Sequence, residues 1–90
     1  MPAYDFTHHV IVNMRLRGIE EHEVIGAVEA GELVEVVGNR FIRCRVFTEG
    51  YRWYGREYTH KEIRVVYVIE GHRTVVLTAI ARYGRWDAEP

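Results

Sequence analysis

Serine and glutamine are absent from this sequence, and cysteine and lysine occur once each, as Cys44 and Lys61. Without serine there is no Ser-His-Asp triad. A single cysteine excludes an intrachain disulfide and leaves no partner thiol for a zinc site, which fits a reducing, cytoplasmic setting. No apolar run approaches the ~18 residues that span a bilayer, and the first twenty residues lack the basic-then-apolar order of a secretory leader, so no membrane association is expected. The five histidines (His8, His9, His22, His60 and His72) show no metal-ligand spacing. There is no glycine-rich phosphate loop and no paired-carboxylate motif, so neither a metal nor a cofactor is expected. The scarcity of thermolabile amides among many charges points toward a thermophilic source.

The 90 residues suffice for one domain, 1–90, and the 48% apolar content is that of a globular chain. Charge is unevenly spread. Residues 1–39 carry seven acids against two arginines, a net of −5, whereas residues 40–90 carry ten Lys or Arg against six acids, a net of +4. That asymmetry would steer a polyanion toward the C-terminal half. Eleven of the twelve basic residues are arginine, whose planar fork grips phosphate bidentately and stacks on aromatic rings; a GC-rich genome would give the same bias.

The first half has helical spacing. Thr7 can cap a helix over His8–Arg17 with Val10, Ile11 and Met14 on its apolar stripe, and Gly18 can end it. A second helix, Glu20–Ala30, opens on acids that suit the helix dipole, buries Val24, Ile25 and Val28, and stops at Gly31. Beyond Gly31 the period becomes two. Strands are expected over Leu33–Val37, Arg40–Phe47, Ile63–Glu70 and Thr74–Arg82, with tight turns at Gly38-Asn39 and Gly71-His72. The ends, Met1–Asp5 and Trp86–Pro90, read as loose. The expected fold is therefore α+β, with two N-terminal helices on one face of a four-stranded, mainly antiparallel sheet.

Strand Arg40–Phe47 alternates between Ile42, Cys44 and Val46 on one face and Phe41, Arg43, Arg45 and Phe47 on the other. Because helices need an apolar bed, Ile42, Cys44 and Val46 are expected beneath them, leaving Arg43 and Arg45 on an open face beside two rings. The segment Tyr51–His60 is longer than a tight hairpin needs and is rich in aromatics and arginine. Arg52, Trp53, Tyr54, Arg56 and Tyr58 read as a stacking platform with phosphate grips. The same pattern suits a capped thin core or a homodimer contact.

Thr7-His8-His9-Val10, Met14 and Arg17-Gly18-Ile19, followed by an acidic helix start, resemble the H-x4-M-x2-R-G-I motif. That motif marks a family of small prokaryotic domains of unknown function. The likeness runs over roughly residues 6–83, with a looser Val75–Thr78 match near the end. Asn13 replaces a frequent Arg, Glu20 replaces a capping Ser or Thr, and the Tyr51–His60 segment is longer than usual. The family is similar in fold to RelE-type and BrnT-type toxins, whose active members cut RNA without metal. The resemblance implies a metal-independent endoribonuclease or an inactive relative. In that reading Arg43, Arg45 and Arg82 would hold phosphate, and His9, His60 or Tyr83 would move protons. It also implies a single-stranded RNA ligand and an antitoxin-like partner. The alternative is a non-catalytic interaction module acting through residues 51–60, as a homodimer or in a toxin–antitoxin-type complex.

Overall fold

Strand β1 (Ala3–Phe6) lies parallel to the last strand of the chain, a pairing that crosses nearly the whole sequence. The computed structural model describes residues 3–85. After β1 come helices α1 (His8–Arg17) and α2 (Glu21–Ala30), then β2 (Glu32–Val37), β3 (Arg40–Phe47), β4 (Tyr51–Trp53), β5 (Arg56–Tyr58), β6 (His60–Glu70) and β7 (Arg73–Gly84). One sheet has the order β1-β7-β6-β3-β2, and β4 pairs only with β5 in a separate two-stranded sheet. The four-stranded, mainly antiparallel sheet of RelE or BrnT type expected from the sequence is thus corrected to a five-stranded mixed sheet plus a small hairpin. Ala3–Asp5, the later part of the N-terminal segment read as loose, supplies the extra strand together with Phe6: Tyr4 and Phe6 point toward the helices and pack against the core. Met1, Pro2 and Trp86–Pro90 lie outside the described residues.

The helices form for local reasons. The Thr7 hydroxyl accepts the Val10 amide at 3.2 Å and opens α1. Gly18 closes it at φ +70°, a left-handed conformation that glycine adopts without steric cost. Glu20 stands outside α2 as its N-cap, and its amide donates to the Glu23 carboxylate at 3.0 Å. Val10, Met14, Ile19, Val24 and Ala27 then pack on Ile63, Val65 and Tyr67 of β6 and on Val76 and Ala79 of β7. Both helices share this one face of the sheet.

The register of β3 reverses the expected faces. Phe41, Arg43, Arg45 and Phe47 stand opposite Tyr67, Val65, Ile63 and Lys61, all buried beneath the helices. Residues directly opposite in an antiparallel pair share a face. Ile42, Cys44 and Val46 therefore lie on the uncovered face, opposite Val66, Arg64 and Glu62. The phenyl rings of Phe41 and Phe47 pack at the margin of the core, and the Arg43 stem carries its head to polar partners. The Arg43 Nε donates to the Tyr67 hydroxyl at 2.9 Å, and its Nη1 donates to the Gly31 carbonyl at 3.1 Å.

Candidate functional site

The aromatic segment folds back on itself. Trp53 and Arg56 face each other across a two-residue turn, Tyr54-Gly55, in which both residues have positive φ, +53° and +77°. Such turns match the right-handed twist of a hairpin and ordinarily use Asn or Gly. A tyrosine there carries a backbone cost of about 1–2 kcal/mol. Tyr54 is nevertheless 85% exposed, so no core burial offsets that cost.

Alternation divides the hairpin into two surfaces. Inward, Trp53 stacks on Tyr83 with ring centroids 5.3 Å apart and an 11° interplanar angle, while Tyr58 lies 5.5 Å from the same ring. Tyr51 and Tyr83 present their faces to the Lys61 ammonium at 5.2 and 5.4 Å. The Tyr51 hydroxyl is buried with no hydrogen-bond partner of normal geometry, and burial pushes its pKa up. Outward, Arg52 pairs with Glu57 at 2.7 Å, with both side chains exposed. Arg85, just beyond β7, donates from Nε to the Glu57 carbonyl at 2.8 Å. Two adjoining open depressions result. One of about 430 Å³ is lined in part by Arg52, Tyr58, Thr59 and Arg85, and one of about 460 Å³ by Arg56, Glu57, Tyr58 and Arg85.

The expected RNA contacts therefore separate. Arg52, Tyr54 and Arg56 are exposed on the hairpin, Arg52 beside Glu57 and Arg56 opposite Trp53, whereas Tyr58 is half-buried against Tyr83. Trp53 turns inward as a structural ring, and Arg43 is held between Tyr67 and Gly31. Arg45 stays exposed above the Phe47 ring, at 4.9 Å from its centroid, over on β3. Arg85 was missed by sequence reading. Its only signal is the continued Arg82-Tyr83-Gly84-Arg85 run past the last β-branched residues.

The expected proton-transfer group is not assembled. Tyr83 donates its hydroxyl to the Arg17 carbonyl at 2.9 Å, and burial, with Glu23 and Tyr51 nearby, pushes its pKa up to about 12. Arg82 is its strand neighbour and so points to the opposite, uncovered face, where it pairs with Glu62 at 3.3 Å. The register places His60 on that uncovered face too, with Nδ1 2.6 Å from the Thr59 hydroxyl. His9 is hydrogen-bonded to Asn13 in the first turns of α1, about 12 Å along the helix axis from Arg17. Among the described residues no three His, Cys, Asp or Glu side chains converge as a metal site, and no helix is long and apolar enough to cross a membrane.

The His9–Ile19 motif has a structural account. Met14 and Ile19 are buried, Gly18 closes α1, and the Arg17 Nη1 donates to the Ala79 carbonyl of β7 at 2.7 Å rather than to the end of its own helix. The fold defines a mixed-sheet α+β domain with an arginine–tyrosine hairpin packed beside Tyr83 of β7. No family model, no curated protein and no solved structure matches the chain.

Proposed function

We propose that the chain is a non-catalytic module that binds single-stranded RNA on the β4–β5 hairpin. The observation that carries this reading is Tyr54, held in a left-handed conformation and 85% exposed between two arginine-bearing strands. Strained residues that the surrounding fold over-determines concentrate at ligand-contacting positions. A projecting phenol ring suits stacking on an unpaired base, and Arg52, Arg56 and Arg85 suit the phosphates on either side. The distance of His9 from the sheet residues, and the turn of Tyr83 to the covered face away from His60 and Arg82, favour binding over strand cleavage. An RNA ligand and a lone thiol fit a cytoplasmic location.

Fluorescence anisotropy with a short labelled oligouridine at two salt concentrations tests the reading. Wild-type protein should bind weakly, and less at higher salt. Tyr54→Ala should weaken binding about tenfold, within the ~1–3 kcal/mol range of a lost stack, with the salt slope unchanged. An Arg56→Ala, Arg85→Ala double variant should flatten the slope by about two contacts. Absence of binding at low salt with protein well into the micromolar range would make the hairpin a protein contact instead.

A further inference from the structure

The outer edge of β2, at one end of the five-stranded sheet, carries a second surface, independent of the RNA reading. Leu33, Val34, Val36 and Val37 are 44, 45, 49 and 52% exposed, and the strand has no partner on its outer side among the described residues. Charges, proline, bulges or a cover blunt such edges. This edge carries two glutamates, Glu32 and Glu35, and a bulge between Leu33 and Glu35, yet it still leaves four apolar side chains exposed.

We propose that β2 pairs antiparallel with β2 of a second copy, joining two five-stranded sheets into one of ten strands about a twofold axis. The bulge sets the register. Leu33 and Val36 stand opposite Arg43 and Phe41 and so face the helix side, whereas Glu32, Glu35 and Val37 stand opposite Cys44, Ile42 and Arg40 on the uncovered side. Residues paired across a strand interface must lie on the same face. With the axis between Val34 and Glu35, Leu33 meets the partner's Val36 on the helix side, and Glu32 meets the partner's Val37 on the uncovered side. Glu35 meets the partner's Val34. No acid opposes an acid, and the helix-side residues form a continuous apolar strip. Sliding the pair by one position would set Glu35 against its own copy or pair residues on opposite faces. A self-complementary pattern closes into a dimer, which is the isologous geometry of twofold interfaces. An unrelated strand would have no reason to match it.

Light scattering coupled to size exclusion, run from low to high micromolar protein, tests the pairing. Wild-type protein should approach twice the chain mass as concentration rises. Val36→Lys, at a half-exposed position outside the core, should remain monomeric with an unchanged melting temperature, and Val36→Thr should still dimerise. In a Cys44→Ala background, Leu33→Cys combined with Val36→Cys should yield a covalent dimer on mild oxidation. A wild-type monomer throughout the range, a dimer that survives Val36→Lys, an open ladder of oligomers, or failure of the cysteine pair to cross-link would each overturn the proposal.

Discussion

The Lys61 ammonium lies 2.7 Å from the Glu23 carboxylate, and both side chains are more than nine-tenths buried. The same ammonium donates to the Gly18 carbonyl at 2.6 Å. One cation thus ties the α1–α2 turn to the start of β6, above the rings of Tyr51 and Tyr83. A compact ammonium with rotatable donors suits this enclosed place better than a planar guanidinium, which accounts for a lone lysine among arginines. Lys61→Met should lose about 3–5 kcal/mol, because it leaves the Glu23 carboxylate buried without its counter-ion. Adding Glu23→Leu should recover part of that loss. Urea denaturation of the single and double variants measures the coupling, and additive losses would refute it.

Gly18 should tolerate no side chain. A Cβ there would lie 2.5 Å from the Trp53 ring and 2.7 Å from the Tyr83 hydroxyl, at a positive φ. Gly18→Ala is expected to cost about 2 kcal/mol or more, from overpacking plus backbone strain. It should also shift tryptophan fluorescence by unseating Trp53 from Tyr83. An unchanged melting curve and spectrum would show that the hairpin does not rest on this turn.

Tyr54 should show a conflict between stability and binding. Tyr54→Gly removes a strained residue from the hairpin turn and should raise stability by about 1 kcal/mol. The same change should abolish the stacking part of RNA affinity. Thermal melts and anisotropy on one preparation check both, and a loss of stability would mean that Tyr54 is a packing residue.

Cys44 should react with thiol reagents without unfolding. It is half-buried on the uncovered face, where its thiol donates to the Glu62 carboxylate at 3.2 Å. Burial, then that carboxylate, raises its pKa above the ordinary thiol value. Labelling in native buffer should therefore go to completion but slowly, because the thiolate is the nucleophile. The rate should rise with pH and increase in Glu62→Gln. Labelling only at the rate of global unfolding would return Cys44 to a place beneath the helices.

Stability should fall between about pH 10 and 12. Tyr4 and Tyr83 have pKa values pushed up to about 12, both chiefly by burial, against an ordinary value of 10.0. A raised folded-state pKa means that the folded chain holds protons the unfolded chain has released in that window. The contribution is complete below pH 10 and disappears as pH passes 12. Absorbance titration at the phenolate band should show Tyr4, Tyr51 and Tyr83 ionising late in the folded protein, and Tyr83→Phe should remove one of the three.

The helices were legible because their signals are local. Thr7 and Gly18 bound α1, Gly31 ends α2, and spacing of three and four residues selects Val10 with Met14; of the expected α2 stripe Val24, Ile25 and Val28 only Val24 is fully buried, and Ala27 takes the place beside it. The turns at Gly38-Asn39 and Gly71-His72 were legible for the same reason. Strand β1 was not, since four residues with two apolar side chains carry too little periodicity, and its partner lies some seventy positions away. The face of β3 was not legible either. Phe41 and Phe47 can bed a helix as well as Ile42 and Val46 can, and an arginine stem passes for either surface. At the site, the clustering of Arg52, Tyr54, Arg56 and Tyr58 was visible as composition. The inward turn of Trp53 depended on Tyr83 and Gly18, which come from distant parts of the chain.

The amino-acid order alone carried what short-range chemistry dictates. It settled where the helices begin and end, where the tight turns fall, the half-to-half charge asymmetry, and the arginine and aromatic content of residues 51–58. The folded chain adds that Ala3–Phe6 joins β7, that Cys44 lies on the uncovered face, that Lys61 is buried with Glu23, and that Tyr54 is 85% exposed with its ring edge-on to Trp53. Those outcomes turn on register. In a strand every side chain changes face with a one-residue slip, and the register of β3 and β7 is set by which long-range pairing buries the most apolar area with its polar groups satisfied.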